Sequence, residues 1–408
     1  MKILFLTSRL PWPPDRGDRV RTYHFLRVMA EAHDVTLLSF ADGSAPPGSR
    51  EALRGLGARV VTVPRRRSVS AAQMARAFPS REPFQVAYYR SSEMKLRVRE
   101  LAADSDVVVA HLLRMAPYLA EAPARTRRIV DLCDCISSEY VASLPHRSAA
   151  GRWFYGMEAR RMAPQERAAV DLWDEAWVIS EAEVAKLGLT TRPENLHIVP
   201  NGVTVPDGNE MRGTPASAAG KSAAGKSVSG GPAGGTTPAR IIFTGHFGVP
   251  HNIDAAQVLV NEVLPLVRRD VAATVELAGA SPIPAVRELG GAHVEVTGWV
   301  DDLFARLARA DVFVAPLRFV AGVQNKILEA MAAGCPVVTT DAVRRGLGAE
   351  AGRELLVGET PTEIAAHAVA LLKDPDRARA LGDAGRDFVR TRFAWETVLD
   401  RLEAPRPR

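Results

Sequence analysis

The chain has 408 residues but only three cysteines, Cys133, Cys135 and Cys335. Three thiols cannot build a disulfide framework. Cys133-Asp134-Cys135 is also too tightly spaced for the usual CxxC zinc or redox pattern. Buried thiols in a reducing compartment are the expectation. Long apolar runs are missing too. No stretch approaches the ~20 residues needed to span a bilayer. The apolar start Met1–Leu6 ends at Arg9 and the Pro11–Pro14 run, short of a signal-peptide core. The expected location is cytoplasmic, with membranes touched only from the inner face. Missing as well are an Asp-x-Asp metal motif in a suitable loop and any basic motif interleaved with aromatics. The first argues for no metal, the second for no nucleic-acid partner.

Lys and Arg number 52 against 47 Asp and Glu, a formal net charge of +5. The excess is clustered at Arg65-Arg66-Arg67, at Arg125, Arg127 and Arg128, and along Arg152–Arg167. A solvated surface is the plain reading. Attraction to an anionic membrane face or an acidic acceptor is the functional one.

Short apolar runs alternate with amphipathic stretches. Lys2–Thr7, Val35–Phe40, Arg59–Val63, Asp106–Ala110, Arg128–Leu132, Ala176–Ile179 and Leu196–Val199 read as strands. Between them lie helical patterns such as Arg19–Ala32, with Asp18 placed as N-cap, Ser92–Ala102 and Trp153–Leu172. Composition shifts after Pro200-Asn201-Gly202. Thr214–Thr237 is almost wholly Ala, Gly, Ser, Lys, Pro and Thr, too little apolar surface to offset its ordering entropy. The alternation then resumes with strands at Arg240–Thr244, Thr274–Ala278, His293–Val296, Val312–Ala315 and Pro336–Thr339. Helices are expected over Asn252–Val267, Gln324–Ala333, Thr362–Lys373 and Asp376–Thr391. Both halves thus read as α/β Rossmann-like domains with parallel, doubly wound sheets. The expected divisions are 1–205, a flexible linker 206–239, a second domain 240–392, and a C-terminal segment 393–408 crossing back to the first domain. The cleft between the domains is the expected binding place, since ligands sit at the carboxyl ends of parallel strands.

Within the linker, Gly220–Ser227 fits the phosphate-loop pattern GxxxxGK[ST]. That motif works only between a strand and a helix, where amides point at the phosphates. Here Ala-Gly-Lys-Ser is duplicated in low-complexity sequence, and Val228–Gly235 cannot form a stable helix. No ATP site is expected.

The most informative stretch is Gly322-Val323-Gln324-Asn325-Lys326-Ile327-Leu328-Glu329, running to Ala333 and the helix stop Gly334. A helix N-terminus beside a lysine suits a diphosphate. A carboxylate three residues later can accept hydrogen bonds from vicinal ribose hydroxyls. The alternative is a helix with a solvated Lys–Glu pair.

Taken together, Leu4–Asp18, Asp131–Asp134, Ile179–Glu183, Val199–Val203, Phe243–Phe247, Asn252–Ala255 and Gly322–Val338 resemble the retaining glycosyltransferases of family 4. Among these the chain is most similar to sugar transferases associated with exosortase (PEP-CTERM) exopolysaccharide systems. The resemblance implies the GT-B fold of two facing Rossmann-like domains with a donor cleft between them. It implies a nucleotide-diphosphate sugar as donor substrate and no cofactor. The acceptor would be a glycan, lipid-linked or small-molecule hydroxyl.

Residue by residue, it makes Glu329 the second glutamate of an E-x7-E motif, which holds the donor ribose. The first glutamate falls at Ala321 and is absent. Gly322, Val323, Gln324 and Asn325 would face the sugar and diphosphate through backbone amides. Gly245 would let backbone approach the phosphates. His246 and Asn252 stand where many members carry arginine and lysine, so Arg318 and Lys326 would be the compensating cations. Trp299 and Val300 would contact the base, Gly17 would present amides to the phosphates, and His111 would meet the transferred sugar. Asp131 and Asp134 would orient an acceptor hydroxyl or cap their turn. Two other readings stand beside this one: a nucleotide-sugar 2-epimerase on the same fold, and a non-catalytic glycan or membrane-complex scaffold.

Overall fold

The computed structural model describes residues 1–14, 17–41, 43, 45–144, 147–206, 238–319 and 323–400. The Gly220–Ser227 pattern, Gly322 and the position of Ala321 lie outside the described residues. The chain divides into two compact units. One is Met1–Asn201 with the segment that starts at Trp395, and the other is Gly202–Ala394.

The first unit is built on β1 (Lys2–Thr7), β2 (Asp34–Ala41), β3 (Arg59–Pro64), β4 (Val107–His111), β5 (Arg127–Cys133), β6 (Glu175–Val178) and β7 (Leu196–Ile198). They form a parallel sheet in the order β3-β2-β1-β4-β5-β6-β7. Successive side chains of a strand point to opposite faces, so each run of apolar residues feeds two cores. Leu4, Leu6, Val108 and Ala110 pack on one side. Ile3, Phe5, Val107 and Val109 pack on the other.

The second unit contains β8 (Ala239–Thr244), β9 (Ala273–Ala278), β10 (Val294–Gly298), β11 (Val312–Ala315), β12 (Val337–Thr339) and β13 (Leu356–Val357). Their order is β10-β9-β8-β11-β12-β13, again parallel, around a core that includes Phe243, Phe247 and Phe313. In both sheets the order reverses beside the first strand, where the loops leaving the carboxyl ends part company.

Two local expectations change, and three helices are added. Asp18 is not the N-cap, because the helix already starts at Gly17. Its carboxylate lies 3.4 Å from Arg9 and 3.9 Å from Arg114 instead. The helix expected over Asn252–Val267 is interrupted: Pro250–Val258 gives way to a π-turn over Leu259–Val263, where the Leu264 N–H reaches back to the Leu259 carbonyl. Pro265 supplies no N–H to a regular ladder, and the wider turn absorbs it. Short helices at Ser49–Arg54, Arg67–Ala77 and Asp341–Leu347 have too few apolar repeats to stand out in the sequence.

The helix Trp395–Asp400 belongs to the first unit. Trp395 is 1% exposed; it stacks on His24 at 4.7 Å and meets the edge of Phe25 at 6.0 Å. Removing a buried aromatic of this size costs about 3–5 kcal/mol. Trp395→Ala is therefore expected to lower the first unit's unfolding free energy in urea by about that amount. A loss below about 1 kcal/mol would show that this anchor contributes little.

Candidate functional site

The best-defined cluster of candidate residues lies in the second unit, at the carboxyl end of β8. The strand ends at Thr244, and Gly245 makes the turn. A Cβ on Gly245 would lie 3.0 Å from the Asn252 side chain. A Cβ on Gly279 would lie 1.8 Å from the Gly245 carbonyl oxygen. These two absent side chains let the turn settle against the first helix and the end of β9. The backbone then ties the strand ends together: Gly245 N–H donates to Ala278 O at 3.2 Å, and Gly279 N–H to Gly298 O at 2.8 Å. Trp299 follows Gly298 and is exposed, and Val300 beside it is half-buried. Both line a surface pocket of about 500 Å³ with Thr297, Asp302 and Arg306.

Asn252 is the residue whose importance the sequence hid. It is buried, donates through Nδ2 to the His246 carbonyl at 3.0 Å, and accepts from Lys326 Nζ through Oδ1 at 2.7 Å. Its type looked like the loss of a cation. In place it fixes the cation that remains. Gln324 Oε1 also accepts from Lys326, at 3.3 Å. Gln324 caps the helix Asn325–Ala332 without a side-chain cap bond, and Val323 precedes it. His246 is exposed, its Nδ1 accepting from the Gly248 N–H at 3.2 Å.

Glu329 stands one turn into the same helix. Its carboxylate makes no hydrogen bond among the described residues. Burial pushes it up to about 7, with Lys326 offsetting part of the shift. Burial likewise brings Lys326 down to about 8, with Glu329 opposing. Arg318 is differently placed. Its Nε donates to Asp254 Oδ2 at 3.0 Å, and its other arm also pairs with Asp254. The two expected cations are therefore unequal: Arg318 is already neutralised, whereas Lys326 has only neutral hydrogen-bond partners.

In the first unit, Asp131 is committed to partners within the protein. It is fully buried at the end of β5. It accepts from Arg21 Nε and Nη2, each at 2.9 Å, and lies 2.8 Å from His111 Nδ1. Burial alone would raise this carboxyl, but Arg21 and His111 outweigh it and hold it well below the usual carboxylate range. An ionised Asp131 accepts the Nδ1 proton, which fixes the ring's orientation and leaves Nε2 as its uncommitted nitrogen. That Nε2 is buried and without a partner among the described residues.

Arg21 was not anticipated from the sequence. The available signal was its spacing from Phe25, which puts a charged group on the buried face of its helix. Arg21 also donates to the Val199 carbonyl at 2.9 Å and to Asn201 Oδ1 at 3.1 Å. Asp134 follows the left-handed Cys133 (φ 62) and feels the Arg21 charge without a hydrogen bond to it. Burial and Glu183 raise its carboxyl. Gly17 opens the helix after β1. All three cysteines are free and buried. No group of three or more metal-ligating side chains occurs among the described residues.

Residues 238–374, which hold the whole Lys326–Asn252 cluster, match the family model described as Glycosyl transferases group 1. The chain is 35% identical over 156 residues to a GDP-mannose-dependent alpha-(1-6)-phosphatidylinositol monomannoside mannosyltransferase of Mycobacterium tuberculosis. That match covers 34% of this chain and 40% of the relative, so the chain spans less than half the length of this curated relative. Among solved structures, Anabaena Alr3699/HepE in complex with UDP aligns over 98% of both chains with a TM-score of 0.63 and 17% identity. Sucrose-phosphate synthase from Thermosynechococcus elongatus covers 98% of this chain and 97% of its own, with a TM-score of 0.62 and 16% identity. The chain has the GT-B fold. That much of the expectation holds for both units.

Removing one member of a buried ion pair leaves an uncompensated charge and costs about 3–5 kcal/mol. Arg21→Ala is expected to lose that much unfolding free energy, and Arg21→Ala combined with Asp131→Ala to recover part of it. A double variant no better than the single one would contradict the pairing.

Proposed function

We propose that the chain moves a sugar from a nucleotide-diphosphate sugar to a hydroxyl acceptor, with retention at the anomeric carbon. The observation that carries this reading is the placement of Lys326 and Glu329 on the first turns of one helix, with Lys326 held by Asn252 and Glu329 left without a hydrogen bond. A diphosphate needs positive charge and N–H donors, which Lys326 and the helix N-terminus supply. A ribose diol needs a carboxylate, which Glu329 supplies. The mycobacterial relative is named for GDP-mannose, and the Anabaena structure contains UDP. Both names support a nucleoside diphosphate sugar as donor.

The proposed chemistry follows from charge. The bond from the anomeric carbon to the phosphate oxygen breaks, and negative charge builds on the leaving diphosphate as the sugar becomes oxocarbenium-like. Lys326 faces that charge with the helix amides behind it. Arg318 contributes only after exchanging Asp254 for phosphate. The acceptor oxygen attacks on the face the diphosphate leaves, and its proton passes to a departing phosphate oxygen. His111 is proposed to meet the transferred sugar through its Nε2. Asp134 is the acceptor-side carboxyl in this proposal. The acceptor class, a glycan or lipid-linked hydroxyl, is supported by the phosphatidylinositol mannoside in the relative's name. Synthesis of a polysaccharide or glycoconjugate is the proposed setting.

Lys326→Ala is expected to lower turnover about 100-fold or more, the scale seen when one preorganised charge stabiliser is removed. Unchanged turnover in a folded Lys326→Ala protein would refute its role. Product anomers read by NMR test retention. Conversion of the nucleotide sugar without acceptor would identify an epimerase instead.

Donor affinity should also depend on pH. The ribose hydroxyls bind ionised Glu329, so affinity rises as pH passes through about 7. The diphosphate binds protonated Lys326, so affinity falls as pH passes through about 8. Calorimetry with an intact sugar nucleotide should show a maximum between the two. Glu329→Gln should flatten the acidic limb and Lys326→Met the basic one. A profile unchanged by either variant would contradict the assignment.

A further inference from the structure

The first unit carries a surface that the sugar-transfer reading does not use. Its long helix Ala149–Leu172 forms one wall of a surface pocket of about 720 Å³. Arg152, Gly156, Arg160 and Pro164 recur every fourth residue, as do Trp153, Met157, Arg161 and Gln165, so the pocket follows one helical face. Arg81 closes it from the segment after the helix Arg67–Ala77. Among the described residues, four guanidinium groups line this pocket and no carboxylate does. The nearby acids turn away. Glu158 accepts from the Phe84 and Gln85 N–H groups, at 2.8 and 2.9 Å, and Glu82 pairs with Arg90.

Two large aromatics stand in water here, Trp153 in the pocket wall and Phe78 against its ring. Trp153 is 60% exposed and Phe78 is 55% exposed, with ring centroids 6.3 Å apart. They continue outward from a small separate core around Phe84 and Ala77, on which Phe78 stacks at 6.2 Å. Arg161 is committed to that core: it covers the Phe84 ring at 4.4 Å and donates to the Phe78 carbonyl at 2.8 Å. Arg81, Arg152 and Arg160 are exposed.

We propose that this face docks the chain on an anionic lipid bilayer. Trp153 and Phe78 enter the headgroup–acyl boundary, where amphipathic rings are stable, and the three exposed arginines meet lipid phosphates around them. Charge complementarity selects this occupant. A purely apolar protein partner would leave the guanidinium groups desolvated without counter-charge. Among the described residues no helix is long and apolar enough to cross a membrane.

The test is co-sedimentation of the full chain with phosphatidylcholine vesicles, with and without phosphatidylglycerol. Wild-type protein is expected to pellet with the anionic vesicles and not with the neutral ones, less so as salt rises. Each basic group near such a surface is worth about 1 kcal/mol, roughly a factor of five. Arg152→Glu with Arg160→Glu should therefore weaken partitioning by about 25-fold or more. Trp153→Ala should weaken it by about tenfold, the scale of one interfacial aromatic anchor. All three positions are solvent-facing, and matching unfolding midpoints verify the fold of each variant. Equal binding to both vesicle types, no binding to either, or wild-type binding by the double-charge variant overturns the proposal. The assay reads adsorption, not turnover, so its failure leaves the sugar-transfer reading standing.

Discussion

One amide side chain holds the second unit's candidate site together. Asn252 reaches the His246 carbonyl with one end and Lys326 with the other. The turn at Gly245 packs against it so closely that an added Cβ would lie 3.0 Å away. The turn after β8 and the helix at Asn325 are far apart in sequence, yet this contact fixes both. A lysine on a flexible stem contributes to charge stabilisation only if its position is set before the charge appears. Asn252 sets it without cancelling it, because an amide oxygen accepts a hydrogen bond but carries no formal charge. Arg318 shows the contrast: its partner Asp254 is a carboxylate, and the pair is neutral.

Partial burial has a matching consequence for the two charges that remain. Withdrawing Lys326 and Glu329 from water penalises the ionised form of both. Their mutual attraction offsets only part of that penalty. A ligand bringing phosphate to one and hydroxyl donors to the other would offset it, so the same burial favours binding of such a ligand. The first unit solves the opposite problem. Its buried Asp131 is fully satisfied by Arg21 and His111, and what remains without a partner among the described residues is one buried imidazole nitrogen.

The fold was largely legible because strand periodicity and apolar runs are strong local signals. Lys2–Thr7, Ser92–Ala102 and Val312–Ala315 stand where the residue pattern puts them. Elements without such runs were not legible: the helix Arg67–Ala77 is nearly devoid of an apolar face, and the two-residue strand β13 is too short to carry a period. Lys326 and Glu329 could be paired from the sequence because both lie in the first turns of one helix. Asn252 and Arg21 could not, because their roles rest on contacts 74 and 110 residues away. Residue type even misled, since an asparagine in place of a lysine reads as a deficit until its two hydrogen bonds are seen. For Asp131 the sequence left two readings open, because the partners Arg21 and His111 that occupy it are distant in the chain.

The central claim is that the second unit binds a sugar nucleotide through Lys326 and Glu329. Isothermal titration of the folded protein with UDP-, GDP- and dTDP-sugars tests it most directly. The account predicts saturable heat with at least one of them, strongly reduced in Glu329→Ala. Absence of heat with all of them, or equal affinity in that variant, would contradict it.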